Sequence, residues 1–274
     1  MDNKEIQFLN DKCKKIRCLT VDQIGKLGVG HIGGCLSPVE ALVVLYYKEM
    51  NIDPCKPKME SRDRFVMSKG HAGPTLYSIL AEKGYFPIEE LDTLNRPETN
   101  LPSHCDMNRT VGIDMTAGSL GQGISCAVGM AKGSKILKDN ARIYFMVGDG
   151  ESQEGEVWEA AMCAAHLKLN NLIGFTDYNK MQIDGTVDVV NGIAPLDDKW
   201  RAFGWNVIEI VDGHSVEEID KAVVEAKKSQ DKPTMIILNT IKGKGVSFVE
   251  AAGCGNHNMP ITEEQRLQAL KELE

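Results

Sequence analysis

Gly148-Asp149-Gly150 closes an apolar run, Ile143 to Val147, and 28 residues separate it from Asn179. The run reads as a buried parallel strand. The interval holds a helical stretch, Gln153 to Leu167, and a second apolar strand, Leu172 to Thr176. A strand-helix-strand unit of this length returns the chain to the same edge of a sheet. Asp149 and Asn179 are therefore expected side by side at the carboxyl ends of neighbouring strands, where open α/β sheets bind ligands. A carboxylate and an amide oxygen are hard donors that suit Mg²⁺ or Ca²⁺, and Mg²⁺ held by few protein groups also takes a ligand's phosphates. The glycines let backbone approach closely, and the following helix turns its N-terminus toward an anion. An Asp between glycines is by itself more often just a turn. The preceding strand and the spaced Asn carry the functional reading.

A chain of 274 residues can bury a full core. Its 31 basic and 39 acidic residues leave a net charge of −8, so no basic field points to nucleic acid. No apolar run is long enough for a membrane span, and the Met1-Asp2-Asn3-Lys4-Glu5 start lacks a signal peptide's apolar core. The eight cysteines form no C-x-x-C pair, and Cys126 and Cys163 fall on apolar helical faces. They are read as reduced thiols of a cytoplasmic protein, and the Asn108-Arg109-Thr110 sequon as unglycosylated.

The pattern predicts an amphipathic helix from Glu5 to Lys26, a glycine-rich loop, and a helix capped by Ser37 with Pro38 in its first turn. A strand over Asp63–Ser68 is broken at Lys69, and a helix runs to Lys83. Residues 84–117 read as an irregular connection of the length that often serves function. A helix over Gly121–Lys135 precedes the Ile143 strand, and later strands are Asn206–Ile210 and Thr234–Asn239. The alternation predicts a three-layer α/β/α fold with a mainly parallel sheet, in one domain over 1–274.

Two glycine patterns are decoys. Gly28-Val29-Gly30-His31-Ile32-Gly33 matches G-x-G-x-x-G, but a helix rather than a strand precedes it. Gly243-Lys244-Gly245 lacks the hydroxyl residue and upstream glycine of a P-loop. Of six histidines, His31, His71, His104 and His257 lie in punctuated loops near the predicted sheet edge. Any one alone reads as a locally bonded loop histidine, as do His166 at a helix end and His214 in a turn before the N-cap Ser215. Together the four suit hydrogen bonding to sugar hydroxyls and proton movement near neutral pH.

At this point the chain resembles the N-terminal part of a transketolase, a thiamine diphosphate enzyme, from about Asp11 to Pro260. The carrying segments are Gly30-His31-Ile32-Gly33-Gly34, Asp63 to His71, Gly118-Ser119-Leu120-Gly121-Gln122-Gly123, Gly148-Asp149-Gly150 with Glu154-Gly155, Asp177 to Gly185, and Lys242-Gly243-Lys244-Gly245. The resemblance implies Mg²⁺, with Ca²⁺ or Mn²⁺ as substitutes, on Asp149, Asn179 and the Met181 carbonyl. It implies thiamine diphosphate contacts from Gly118, Ser119, Leu120 and Gly150. Lys69, His71, Lys242 and His257 would surround the diphosphate or line its channel, and His31 and His104 would touch sugar hydroxyls. Glu154 matches a family glutamate at a subunit interface near the cofactor; its plainer reading is a first-turn acid facing the helix dipole. The sequence departs from the family at His257-Asn258, usually His-Gly, and at Ile32, often Pro.

A complete transketolase adds a pyrimidine-binding domain, whose glutamate activates the cofactor, and a C-terminal domain. The resemblance therefore implies a C-terminal partner subunit carrying both, most simply in a two-plus-two heterotetramer. The pair would transfer a two-carbon ketol unit from a ketose to an aldose, on the ordinary sugar phosphates or on a specialised sugar with another terminal anion. Two alternatives stay open: a subunit of another thiamine enzyme, of the 2-oxoacid dehydrogenase or deoxyxylulose-phosphate synthase type, or a non-catalytic binding subunit.

Overall fold

The computed structural model describes residues 1–274. Helix α1, Asn3–Leu27, begins with a capping box between Asp2 and Glu5. It ends at Gly28, whose φ of 85° is the left-handed cap that glycine adopts at least cost. The following segment is more ordered than the expected loop: a two-residue strand β1, Val29–Gly30, then a short helix α2, Ile32–Leu36. Ser37 is not the N-cap of the next helix but the C-cap of α2. Pro38 stands before α3, Val39–Val44, while the Ser37 hydroxyl donates to Asp177 at 2.6 Å, 140 positions away.

The remaining elements follow in alternation. They are β2 (Arg64–Met67), α4 (Gly73–Glu82), α5 (Gln122–Leu137), β3 (Ile143–Gly148), α6 (Gly155–His166) and β4 (Leu172–Tyr178). A small hairpin, β5 (Met181–Gln182) and β6 (Gly185–Thr186), precedes α7 (Val187–Asn191), α8 (Leu196–Ala202) and β7 (Asn206–Ile210). The chain ends with α9 (Val216–Ala226), β8 (Thr234–Asn239), α10 (Ser247–Ala251), β9 (Met259–Pro260) and α11 (Glu263–Leu273). Residues 84–117 are irregular apart from a 3₁₀ stretch, Ile88–Thr93.

The main sheet has the order β2-β3-β4-β8-β7, and every pairing is parallel. Strand side chains alternate between faces. Tyr144 and Met146 join one apolar layer with residues of α1, α3, α4 and α9. Ile143, Phe145 and Val147 join the other, with α5, α6 and α8. Burial on both faces explains the unbroken apolar strands; each fully buried large side chain contributes about 1.5–3 kcal/mol. This is the expected three-layer α/β/α fold. Trp200 and Trp205 close the second layer with ring centroids 5.0 Å apart. Cys163, expected on an apolar face, is exposed, and all eight cysteines are free. No helix is long and apolar enough to cross a membrane.

Two connections outside the sheet position the site. β1 pairs antiparallel with β9, Gly30 opposite Met259, which brings the His31 and His257 loops together. The amide of Gly243 donates to the Gly33 carbonyl at 3.0 Å, tying the chain after β8 to α2.

Candidate active site

The register of β3 against β4 sets Gly148 opposite Asp177, so Asp149 and Asn179 emerge from adjacent strand ends as expected. Asp149 is buried; its Oδ1 accepts from the Gly150 amide at 2.7 Å and its Oδ2 from the Lys180 amide. Asn179 Oδ1 accepts from the Met181 amide at 3.1 Å. The Met181 carbonyl accepts from Lys242 Nζ at 3.2 Å. A cleft of about 180 Å³ opens over these groups, lined by Lys69, His71, Asp149, Gly150, Asn179, Met181, Lys242 and His257 among others.

The donor set fits a divalent cation. Burial, and then repulsion from Asp177, push the Asp149 carboxyl up to about 7. A cation beside it would oppose both effects. No group of three or more His, Cys, Asp or Glu side chains could hold a metal. A cation here would rest on one carboxylate, an amide oxygen and a carbonyl, leaving coordination positions for a ligand's phosphates.

The sequence reading missed the groups beneath these ligands. Asp177 is fully buried and receives bonds from Lys69 Nζ, Ser37, Thr240 and, at 3.1 Å, Asn179 Nδ2. Burial alone would raise its carboxyl; Lys69 and the hydroxyls hold it below the ordinary range. Asp177 thus orients the Asn179 amide, leaving Oδ1 as the ligand atom. A charged residue ending the apolar run Leu172–Thr176 was the available signal. Glu151, also buried, accepts from Ser68 Oγ, from the Gly121 amide at 2.9 Å and from the Gly148 amide at 3.0 Å. It staples the ends of β2 and β3 to the start of α5.

The four loop histidines converge. The His31 ring centroid lies 5.4 Å from His71, 5.5 Å from His104 and 5.4 Å from His257, and His71 lies 5.1 Å from His257. Burial favours the neutral ring in all four. Burial, then Lys69, holds His71 well below its usual value. Burial, then Lys242, brings His257 down to about 3. Burial likewise lowers His31 and His104. Such rings offer hydrogen-bond donors and acceptors without fixed charge. His31 and His104 stand outside the cleft that His71 and His257 line. Gly33 permits this packing: a Cβ there would meet Asn256 Oδ1 at 2.1 Å.

Of the remaining expected residues, Leu120 and Glu154 line the cleft, while Gly118 and Ser119 are exposed beside it. Glu154 is exposed at the N-cap of α6 rather than in its first turn, and its side chain makes no capping bond. His166 ends α6, exposed. His214 is not locally bonded by its ring: it reaches Glu40 at 3.0 Å and the Ile241 amide at 2.9 Å.

Fold and site together define the diphosphate- and divalent-cation-binding part of a thiamine diphosphate enzyme. The chain belongs to the family described as "Transketolase, thiamine diphosphate binding domain", matched over residues 9–273. It is a subunit of a ketol-transferring enzyme of that family, which uses thiamine diphosphate with a divalent metal. It is 59% identical over 266 residues to the 6-deoxy-6-sulfo-D-fructose transketolase subunit SqwG of Clostridium sp. (strain MSTE9), covering 97% of this chain and 96% of that one. It is 39% identical over 269 residues to an apulose-4-phosphate transketolase subunit of Phocaeicola vulgatus, covering 98% and 95%. The crystal structure of transketolase from Campylobacter jejuni superposes with a TM-score of 0.90 at 33% identity, covering 100% of this chain and 43% of that one. The chain thus spans about two fifths of a full-length transketolase and nearly all of the separate subunits it matches.

Proposed function

We propose that this chain is the single-domain, diphosphate- and magnesium-binding subunit of a two-chain transketolase, active with a C-terminal partner in a two-plus-two assembly in the cytoplasm. The observation that carries it is the set of oxygens from Asp149, Asn179 and Met181 opening beside Lys69 and Lys242 in a cleft that His71 and His257 line, with His31 against both rings and His104 against His31. Asp149, Asn179 and the Met181 carbonyl hold the cation. Lys69, Lys242, His71 and His257 face the diphosphate; Gly118, Ser119, Leu120 and Gly150 give small or backbone contacts around the cofactor. When bound, thiamine diphosphate supplies the electron sink that lets a ketose lose its two-carbon unit to an aldose. This chain's residues place the diphosphate, exclude water and bond sugar hydroxyls through His31 and His104. Glu154, exposed here at the cleft, faces the partner.

The donor is a ketose with a terminal anion other than phosphate, and 6-deoxy-6-sulfo-D-fructose is the leading candidate. The 59% identity with a subunit named for that substrate supports it. Neutral histidines suit hydroxyl recognition, which ketol transfer needs and 2-oxoacid decarboxylation does not.

The test is ketol transfer by the chain alone and mixed with the product of the adjacent reading frame, with Mg²⁺ and thiamine diphosphate. Xylulose 5-phosphate, 6-deoxy-6-sulfo-D-fructose and pyruvate serve as alternative donors. Transfer by the mixture alone, fastest from the sulfo-sugar, is expected. Equal activity of the isolated chain would overturn the two-chain reading, and preference for pyruvate would overturn the reaction class.

A further inference from the structure

Away from the cofactor cleft, Arg17, Glu40 and His214 form a cluster of titratable groups screened from solvent. Arg17 and Glu40 make a two-pronged pair, Nη1–Oε1 at 2.6 Å and Nη2–Oε2 at 2.8 Å. His214 Nδ1 lies 3.0 Å from the same Glu40 Oε2, and its Nε2 lies 2.9 Å from the Ile241 amide. A backbone amide only donates, so Nε2 accepts. The neutral ring therefore carries its proton on Nδ1 and donates it to Glu40. One carboxylate thus sets the tautomer that lets His214 hold Ile241.

The other side of the pair reaches the same segment. Arg17 Nε donates to the Lys244 carbonyl at 3.0 Å. The chain is gripped at Ile241 by His214 and at Lys244 by Arg17, and both grips lean on Glu40. Between them lies Lys242, whose ammonium enters the cleft and whose carbonyl accepts from Asn256 Nδ2 at 3.2 Å. This segment leaves β8 and belongs to no helix or strand, so these side chains stand in for a ladder. Bonds to charged groups are about twice as strong as neutral ones.

We propose that His214, with its tautomer set by Glu40, is a positioning residue that aims Lys242 at the diphosphate. This rests on the reading that Lys242 serves the cofactor.

The experiment is calorimetric titration of thiamine diphosphate, at saturating Mg²⁺, into the complex of this chain with its partner subunit. Wild type, His214→Phe, His214→Gln, Lys242→Gln and the double variant His214→Phe/Lys242→Gln are compared. Phenylalanine fills the space without either bond, whereas glutamine can donate to Glu40 and accept from Ile241. His214→Phe should weaken binding about tenfold and His214→Gln less than threefold. On the Lys242→Gln background, His214→Phe should add less than twofold, since coupled residues are non-additive. Amide exchange over 241–245 should quicken in His214→Phe while the core strands keep their protection. If His214→Phe does not fold, His214→Ala takes its place in every comparison. Wild-type affinity in His214→Phe, or full additivity with Lys242→Gln, overturns the inference alone. Failure of the wild-type complex to bind, or indifference to Lys242→Gln, overturns the reading beneath it.

Discussion

Lys242 Nζ lies 3.1 Å from His257 Nδ1, so the ammonium stands against the ring atom that a second proton would occupy. Burial, then repulsion from Lys242, holds His257 near 3, while burial, then repulsion from Lys69, brings Lys242 to about 8. At pH 7 the lysine is therefore charged and donates to a neutral imidazole.

A depressed lysine loses its charge as pH rises, so the contribution of Lys242 to cofactor affinity should be level below about pH 7 and fall as pH passes 8. A bound anion favours the charged form and moves the fall upward in the complex. Lys242→Gln should bind about tenfold more weakly at pH 7 and show no such alkaline fall. Thiamine diphosphate dissociation constants between pH 6.5 and 9.5 check this; an alkaline fall in the variant parallel to wild type would assign the titration elsewhere.

Asp149→Asn separates function from stability. The carboxyl is held near 7, above its ordinary value, so the stability it lends the metal-free fold is lost as pH rises through 7. In the metal-free variant at pH 8, loss of the buried charge is offset because the asparagine amide cannot accept from both the Gly150 and Lys180 amides, so its stability should stay close to wild type. Wild type with Mg²⁺ and thiamine diphosphate at about 100 times Kd should gain roughly 2.7 kcal/mol, which EDTA abolishes and the variant never shows. Thermal melts with and without metal decide; an unchanged ligand-induced shift in Asp149→Asn would remove this residue from the cation site.

Asp177→Ala should instead unsettle the fold. It strips the buried Lys69 of its countercharge and Ser37, Thr240 and Asn179 of their acceptor. Breaking a buried pair from one side costs about 3–5 kcal/mol. Urea unfolding measures it, and a loss below about 1 kcal/mol would mean that Lys69 finds water or another partner.

Gly33→Ala tests the packing of the α2 turn on the Asn256 loop. The added methyl falls 2.1 Å from Asn256 Oδ1, whose amide also holds the Lys242 and Val249 carbonyls. Overpacking of this kind costs about 1–3 kcal/mol, and the displaced loop should also weaken cofactor binding. A melt with unchanged Tm and affinity would show that Asn256 yields freely.

The sequence alone determined what local chemistry can specify. Apolar runs defined the strands, and the interval from Asp149 to Asn179 implied their adjacency. Period and spacing are properties of neighbours along the chain, so they can be read there. Only the tertiary structure decided the rest, because its partners lie far apart in sequence. Asp177 meets Lys69 across 108 positions, and Glu40 meets His214 across 174. Which buried carboxylate finds which cation depends on sheet order and on loops crossing the strand ends, and no periodicity encodes that. The β1–β9 pairing that helps gather four histidines rests on two residues a side, too few to announce themselves as strands. Glu151 and Glu154 lie three positions apart, yet one is buried against three donors and the other is exposed at the cleft. Glu151 opens a single 3₁₀ turn, Glu151–Gln153, whereas Glu154 stands in extended backbone at the N-cap of α6, so the two side chains leave the backbone in different settings.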